Sequence, residues 1–294
     1  MEKTLLVIDF NNILYKSLYA YKDLSFNEYK TGGIYGWVMQ FCRLVNRFNP
    51  DKIIIGTDSP PYFRNVVDTN YKSMRNKLAD TEFMKFRNDS LCYITGFLKT
   101  IDFKLIRSKG FEFDDIAYFV CEKYIYTYRN IIIASNDSDL YQLFFIENNS
   151  NNSISLYNGR LEFKRVDFDK RFAGFDLDSL INYLAIVGTH NGIKGIQGIG
   201  DKKAIMLLSN EAKWSYFYKN HRDIIDFNTR LIKLPYVEVS SEYSKSVSLY
   251  RKSLDFVRTK TINRREVYAY LSKFGIQRNS TITNALEILK YKVK

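Results

Sequence analysis

The sequence predicts an α/β fold: a central, mostly parallel sheet flanked by helices. Three observations carry that prediction. Short apolar runs, "TLLVIDF" (4–10), "DKIIIGTD" (51–58), "DFKLIRS" (102–108) and "NIIIASND" (130–137), read as buried strands. Helical patterns fall between them, as in a chain of crossover units. The runs are apolar almost without alternation, which fits strands covered on both faces.

In chain order, the first strand is followed by a helical pattern over about 33–48 and then by the second strand. Residues 60–100 are charged and aromatic, with weak helical periodicity. After the third strand, "FDDIAYFVCEKYIY" (113–126) is an amphipathic helix. "ENNSNNS" (147–153) is a polar loop beyond the fourth strand. "SISLYNGRLEFKR" (153–165) alternates around Asn158-Gly159, the strongest short hairpin signal. After about 175 the strands give out and helical patterns dominate, with basic segments such as "RTKTINRRE" (258–266) and "KYKVK" (290–294). A core over 1–175 and a helical region over 176–294 are expected.

Composition narrows the function classes. The 294 residues carry 44 Lys and Arg against 32 Asp and Glu, and the net charge of +12 favours a polyanionic partner, nucleic acid first. Only two histidines, His190 and His221, are present, too few for a His-based metal site or a Ser-His-Asp triad. Cys42, Cys92 and Cys121 match no CxxC pattern and lie in apolar helical stretches, so buried thiols are expected. No signal peptide, apolar span of about 20 residues, amphipathic anchor or lipidation motif is seen, so an intracellular protein without a membrane partner is expected.

If the protein is an enzyme, catalysis falls to carboxylates. Asp9 and Asp58 end the first and second strands, and Asp137 and Asp139 follow the fourth. Ligands of an open parallel sheet sit at the carboxyl ends of its strands. "GFEFDDIA" (110–117) adds Glu112, Asp114 and Asp115 at a helix start, with Glu112 and Asp115 on one face if the helix begins that early. Singly, these acids have ordinary explanations as caps, turn residues or dipole partners. Together they need cations. Oxygen ligands without Cys or His favour one or two Mg²⁺ or Mn²⁺ ions, which polarise phosphoryl groups and generate hydroxide.

In order and spacing, these motifs resemble the 5′-nuclease family: flap endonucleases, phage 5′→3′ exonucleases and the nuclease domain of bacterial DNA polymerase I. "LLVIDFNNILYKSLYA" resembles the first motif, carrying Asp9. "GTDSPPYFRNVVDTNYKSMR" resembles the second, carrying Asp58, Arg64, Tyr71, Lys72 and Arg75. "GFEFDDIA" is similar to a Glu-Ala-Asp-Asp motif with Phe113 in place of Ala, and "SNDSDLYQL" carries Asp137 and Asp139. The resemblance implies a nuclease core of the PIN-like kind with a helical arch or clamp over about 60–105. It implies that Lys72, Arg75 and Tyr71 meet the reacting strand, with Arg64 among the DNA-binding cations. "IKGIQGIGDKKAIMLL" (193–208) resembles the family's helix-hairpin-helix, implying DNA contacts at Gly195, Gly198, Gly200, Lys202 and Lys203 and a bound K⁺.

The implied activity is cleavage of DNA at 5′ flaps, branches or single-stranded 5′ ends, and of RNA–DNA hybrids, by a monomer serving replication or repair. Products would carry a 5′-phosphate. A stand-alone nuclease of this size suggests a phage enzyme, working in the host cytoplasm. One motif departs from the family: before the hairpin, where two acids are usual, "GTHNGIKG" (188–195) places Thr189 and Asn191. Weakened second-metal binding, a narrowed substrate class, or branched-DNA binding with little cleavage would each follow from that. A small PIN-type ribonuclease is disfavoured by the hairpin and the long basic segment after the second strand.

Overall fold

The computed structural model describes residues 2–72, 80–146, 152–172, 174–189, 192–237 and 240–292. Its centre is a six-stranded sheet. β1 (Thr4–Asp9) leads directly into α1 (Phe10–Ala20); a two-residue hairpin, β2 (Ser25–Phe26) and β3 (Tyr29–Lys30), precedes α2 (Gly32–Phe48). β4 (Lys52–Gly56), β5 (Leu105–Ile106), β6 (Asn130–Ala134), β7 (Ser153–Tyr157) and β8 (Glu162–Lys164) complete the sheet in the order β5-β4-β1-β6-β7-β8. All pairings are parallel except β7–β8, the predicted hairpin.

The unbroken apolar strands have a direct cause. Leu5, Val7, Ile54, Ile131 and Ile133 point into one hydrophobic core, and Leu6, Ile8, Ile53, Ile55 and Ile132 into another. With both faces covered, a polar residue has no place at either step of the pleat.

Helices α1, α2, α3 (Thr81–Thr100), α10 (Arg264–Ser272) and α11 (Ser280–Tyr291) supply residues to the second core. Residues of α4 (Phe113–Tyr124), α5 (Arg165–Arg171), α6 (Leu177–Val187), α7 (Asp201–Leu208), α8 (Glu211–Ile232) and α9 (Ser241–Ser253) build the first. Both cores thus draw on residues either side of 175. α1 crosses α2 tightly, and a Cβ at Gly32 would lie 1.8 Å from the Tyr21 carbonyl oxygen. No helix among the described residues is long and apolar enough to cross a membrane.

Four expectations need correction. The chain after β1 is helical at once, because Asp9 caps α1 by accepting from the Asn12 N–H at 3.0 Å. The third strand shrinks to Leu105–Ile106. Within the weakly periodic 60–100 segment lies the 20-residue α3, which buries Phe86, Ser90, Ile94, Phe97 and Leu98 on one side and lines the cleft with Phe83, Met84, Arg87 and Leu91. Cys42 and Cys121 are buried as expected, but Cys92 is exposed on α3. Its position two residues from both Ser90 and Ile94 sets it off their buried stripe.

Candidate active site

The parallel register brings the acids together. Asp9 is level with Gly56 of β4, and Ile8 with Ala134 of β6, so β1, β4 and β6 end at one height. Asp58 follows β4 by two residues and accepts from the Phe113 N–H at 2.8 Å, fixing the start of α4 beside it. The Phe113 ring lies over Gly56, where any Cβ would sit 3.0 Å from it. The lack of a side chain at Gly56 makes room for the Phe113 ring. Asp137 caps the 3₁₀ turn Ser138–Phe145 by accepting from the Asp139 N–H at 3.1 Å.

Carboxylate oxygens of Asp114, Asp137 and Asp139 all lie within 4.8 Å of one another. Asp9 stands beside them, accepting from Ser135 Oγ at 3.0 Å. Burial, with Asp58 and Asp137 as like-charged neighbours, pushes Asp9 up to about 7. Burial, then the charges of Asp137 and Asp139, holds Asp114 well above the usual carboxylate range, while Lys72 pulls it back. Such a group is poor as a set of bare anions and good as a divalent-ion site of hard oxygens. It opens into a cleft of about 1710 Å³ that Asp9, Asp58, Asp114 and Asp137 line on one side. Tyr15, Lys16, Tyr62, Lys72, Phe83 and Arg87 line it elsewhere.

Glu112 and Asp115 are placed differently. α4 begins at Phe113, so Glu112 is the N-cap residue and the two acids form a reciprocal capping box rather than one helical face. Arg64 forks onto Asp115 (Nη1–Oδ2 2.6 Å, Nη2–Oδ1 3.0 Å) and reaches Glu112 Oε2 at 2.9 Å. Asp115 also accepts from the N–H groups of Tyr236 at 2.8 Å and Glu112 at 3.2 Å. Tyr71 Oη donates to Glu112 at 3.0 Å, and Lys72 pairs with the other oxygen. Burial raises the Tyr71 phenol, keeping it a neutral donor.

Asp115 therefore belongs to a buried ion-pair network, and Glu112 joins it to the cleft. Neither was separable from Asp114 in the sequence, because three acids in four residues carry no label of direction. Arg64, expected on DNA, is 2% exposed with its guanidinium turned inward, so it braces the site instead.

Arg75 lies outside the described residues, as do His190 and Asn191. Thr189 is described; its N–H donates to the Ile193 carbonyl at 3.0 Å in the hairpin neck. There a Cβ on Gly195 would sit 2.3 Å from the Val187 carbonyl, so this glycine serves the chain's own crossing. Gly198 (φ +78°) and Gly200, the N-cap residue of α7, face open space, with Lys202 and Lys203 exposed in the next turn. Asp176 caps α6 by accepting from the Ser179 N–H at 2.8 Å. Asn12, Ser135, Asn136 and Gln142 escaped the sequence reading. The signal for the serine and asparagines was polar residues immediately beyond an apolar strand. For Gln142 it was a spacing of three from Asp139.

Strand-end carboxylates around a divalent-ion site, set in a cation-rimmed cleft of a basic protein, make this molecule a metal-using nuclease. Comparison with known proteins gives its place among them. The chain belongs to the 5′-3′ exonuclease family, whose N-terminal resolvase-like domain matches residues 4–172. It is 26% identical over 277 residues to a 5′-3′ exonuclease of Aquifex aeolicus, covering 88% of this chain and 91% of that one. In fold it is similar to bacteriophage T5 5′-exonuclease with bound zinc ions (TM-score 0.61, 16% identity, 98% of both chains). Flap endonuclease-1 from Methanococcus jannaschii is also similar (TM-score 0.59, 14% identity, 98% of this chain and 93% of that one).

Proposed function

We propose that the protein is a structure-specific 5′ nuclease that cuts DNA at 5′ flaps and single-stranded 5′ ends, using Mg²⁺ or Mn²⁺. The convergence of Asp114, Asp137 and Asp139 within 4.8 Å, beside Asp9 in the cleft, carries this reading. These residues and Asp58 would hold the ions, with Glu112 at their edge. A bound divalent ion supplies charge neutralisation at the phosphodiester and acidifies water. This chain's own residues position the strand and hold charge.

Lys72 lies with its Nζ 5.3 Å from the Tyr62 ring centroid and 5.5 Å from that of Tyr71, paired with Glu112 at the cleft wall. From there it supplies a cation for the scissile phosphate, with Arg75 and Tyr71 in support. The exposed Lys202 and Lys203, with the open backbone at Gly198 and Gly200, hold duplex backbone at the hairpin, together with a K⁺ ion, and residues 176–294 complete the DNA surface. RNA–DNA hybrids are a further substrate, the working unit is a monomer, and the site of action is the cytoplasm.

The test is a Mg²⁺ titration of cleavage on a labelled 5′-flap duplex, with blunt duplex and single strands alongside and Asp137→Asn as control. Cutting near the flap junction that disappears in the variant supports the proposal. Tight flap binding without cutting in any divalent ion would instead favour a branched-DNA-binding protein on the same scaffold.

A further inference from the structure

The last turn of α8 bonds to two places at once. Asn228 is 3% exposed, and its Nδ2 donates to the carbonyls of Ala185 at 2.8 Å and Lys194 at 2.9 Å, gripping the end of α6 and the hairpin loop. Three residues on, the Leu231 carbonyl accepts from Arg64 Nε at 2.7 Å, and Arg64 forks onto Asp115, the neighbour of Asp114. The Ile232 carbonyl accepts from Gln142 Nε2 at 3.0 Å. The same nitrogen donates to the Asp139 carbonyl at 3.0 Å, and Gln142 Oε1 accepts from the Leu234 N–H at 2.9 Å.

The final carbonyls of a helix have no partner within it. In α8 the last two, those of Leu231 and Ile232, are satisfied by the two buried side chains that brace the ion-binding turns. Gln142 is 2% exposed with both ends of its amide engaged, and Arg64 is equally buried. Buried polar groups of this kind tolerate little displacement, since a lost bond leaves a desolvated donor or acceptor behind. A shift of the hairpin must therefore move the turns carrying Asp114 and Asp139, or break these bonds.

We propose that the last turn of α8 is a strut that couples duplex binding at the hairpin to divalent-ion binding at the acidic cluster, with Asn228 and Gln142 as positioning residues. This rests on the nuclease reading for the identity of the two ligands. Linkage makes the coupling reciprocal: duplex DNA tightens ion binding by the factor by which the ion tightens DNA binding.

The experiment measures Mn²⁺ affinity of the full chain by electron paramagnetic resonance. It is done without DNA and with a saturating, covalently closed dumbbell duplex that has no 5′ end to cut. The expected result is Mn²⁺ binding tightened about tenfold by the dumbbell, within the usual range of such couplings. Asn228→Ala, which removes the donors without adding a charge, should retain the DNA-free Mn²⁺ affinity and lose most of the tightening. Gln142→Met should weaken Mn²⁺ binding itself by about tenfold, as loss of an outer partner of a metal site does, and lose the tightening too. Thermal melts establish that each variant is folded. In the unsubstituted chain, Mn²⁺ should also slow hydrogen exchange at the Leu234 and Tyr236 amides.

An unsubstituted chain whose Mn²⁺ affinity ignores the dumbbell overturns the strut. So does full tightening in a folded Asn228→Ala chain, or unchanged exchange at those two amides. Failure of the nuclease reading has its own signature: Mn²⁺ would then not bind, or would bind equally well to Asp137→Asn.

Discussion

Asp9 is the last residue of a buried strand, the cap of the next helix and a member of the acidic cluster. Its carboxyl is raised to about 7 from an ordinary 3.8, chiefly by burial and then by Asp58, and Asp114 is displaced the same way. A raised acid binds its proton more tightly folded than unfolded. The metal-free protein therefore has its full share of stability below about pH 4 from this group and loses it as pH rises through about 7. Asp58 and Asp137 face Asp9 with like charge, and Lys16 faces it with opposite charge. In chelator, the melting temperature should fall between pH 5 and 8, and Asp9→Asn should flatten that slope. A melting temperature that climbs over this range in the unsubstituted chain would count against the assignment.

Arg64 gives a second prediction at this scale. Arg64→Ala strands Asp115 and Glu112 as buried charges and should cost about 3–5 kcal/mol by denaturant unfolding. Lys109→Ala, which breaks the exposed pair to Glu242, should cost at most about 1 kcal/mol. Equal costs would mean that the Arg64 network is not the brace described. The sequence showed that Arg64 matters without showing which way it faces, since an arginine ahead of an acidic motif suits phosphate and carboxylate alike.

Among the elements, legibility followed the burial pattern. β1, β4 and β6 could be read to within three residues at either end because both of their faces are buried, and their shared register fixed where the acids would meet. α3 was hard to read because its buried stripe includes Ser90, packed where a Cβ on Gly33 would come within 2.1 Å of the Ser90 hydroxyl oxygen. A small polar residue in a core stripe erases the apolar period on which a helix is recognised. The hairpin neck is the other informative element. The resemblance sets Thr189 and Asn191 where acids are usual, so Thr189→Asp with Asn191→Asp should lower the Mg²⁺ concentration for half-maximal flap cleavage, by about tenfold if a second ion gains direct ligands. An unchanged Mg²⁺ titration would show that these positions do not face the ion.

For the whole molecule, the question is whether a nuclease core ending near 175 could exist alone. Its sheet and acids lie within that limit, and the change from strands to helices invites a cut there. Yet Ile282, Ala285, Leu286 and Leu289 of α11 are buried in the same core as Leu6 and Ile8 of β1, and Leu231 and Ile232 of α8 in the core that holds Leu5 and Val7. Removing residues 176–294 would bare both faces of the sheet. Each large aliphatic side chain newly exposed to water costs about 1.5–3 kcal/mol, against a total stability of about 5–15 kcal/mol for a typical fold. The fragment 1–175 should therefore aggregate or remain unfolded, and the full chain should melt in one calorimetric transition. A soluble 1–175 fragment with native-like circular dichroism and Mn²⁺ binding would refute this. It would also mean that the helical region sits on the nuclease as a separable DNA-binding attachment, leaving α8 free to move without disturbing the acids.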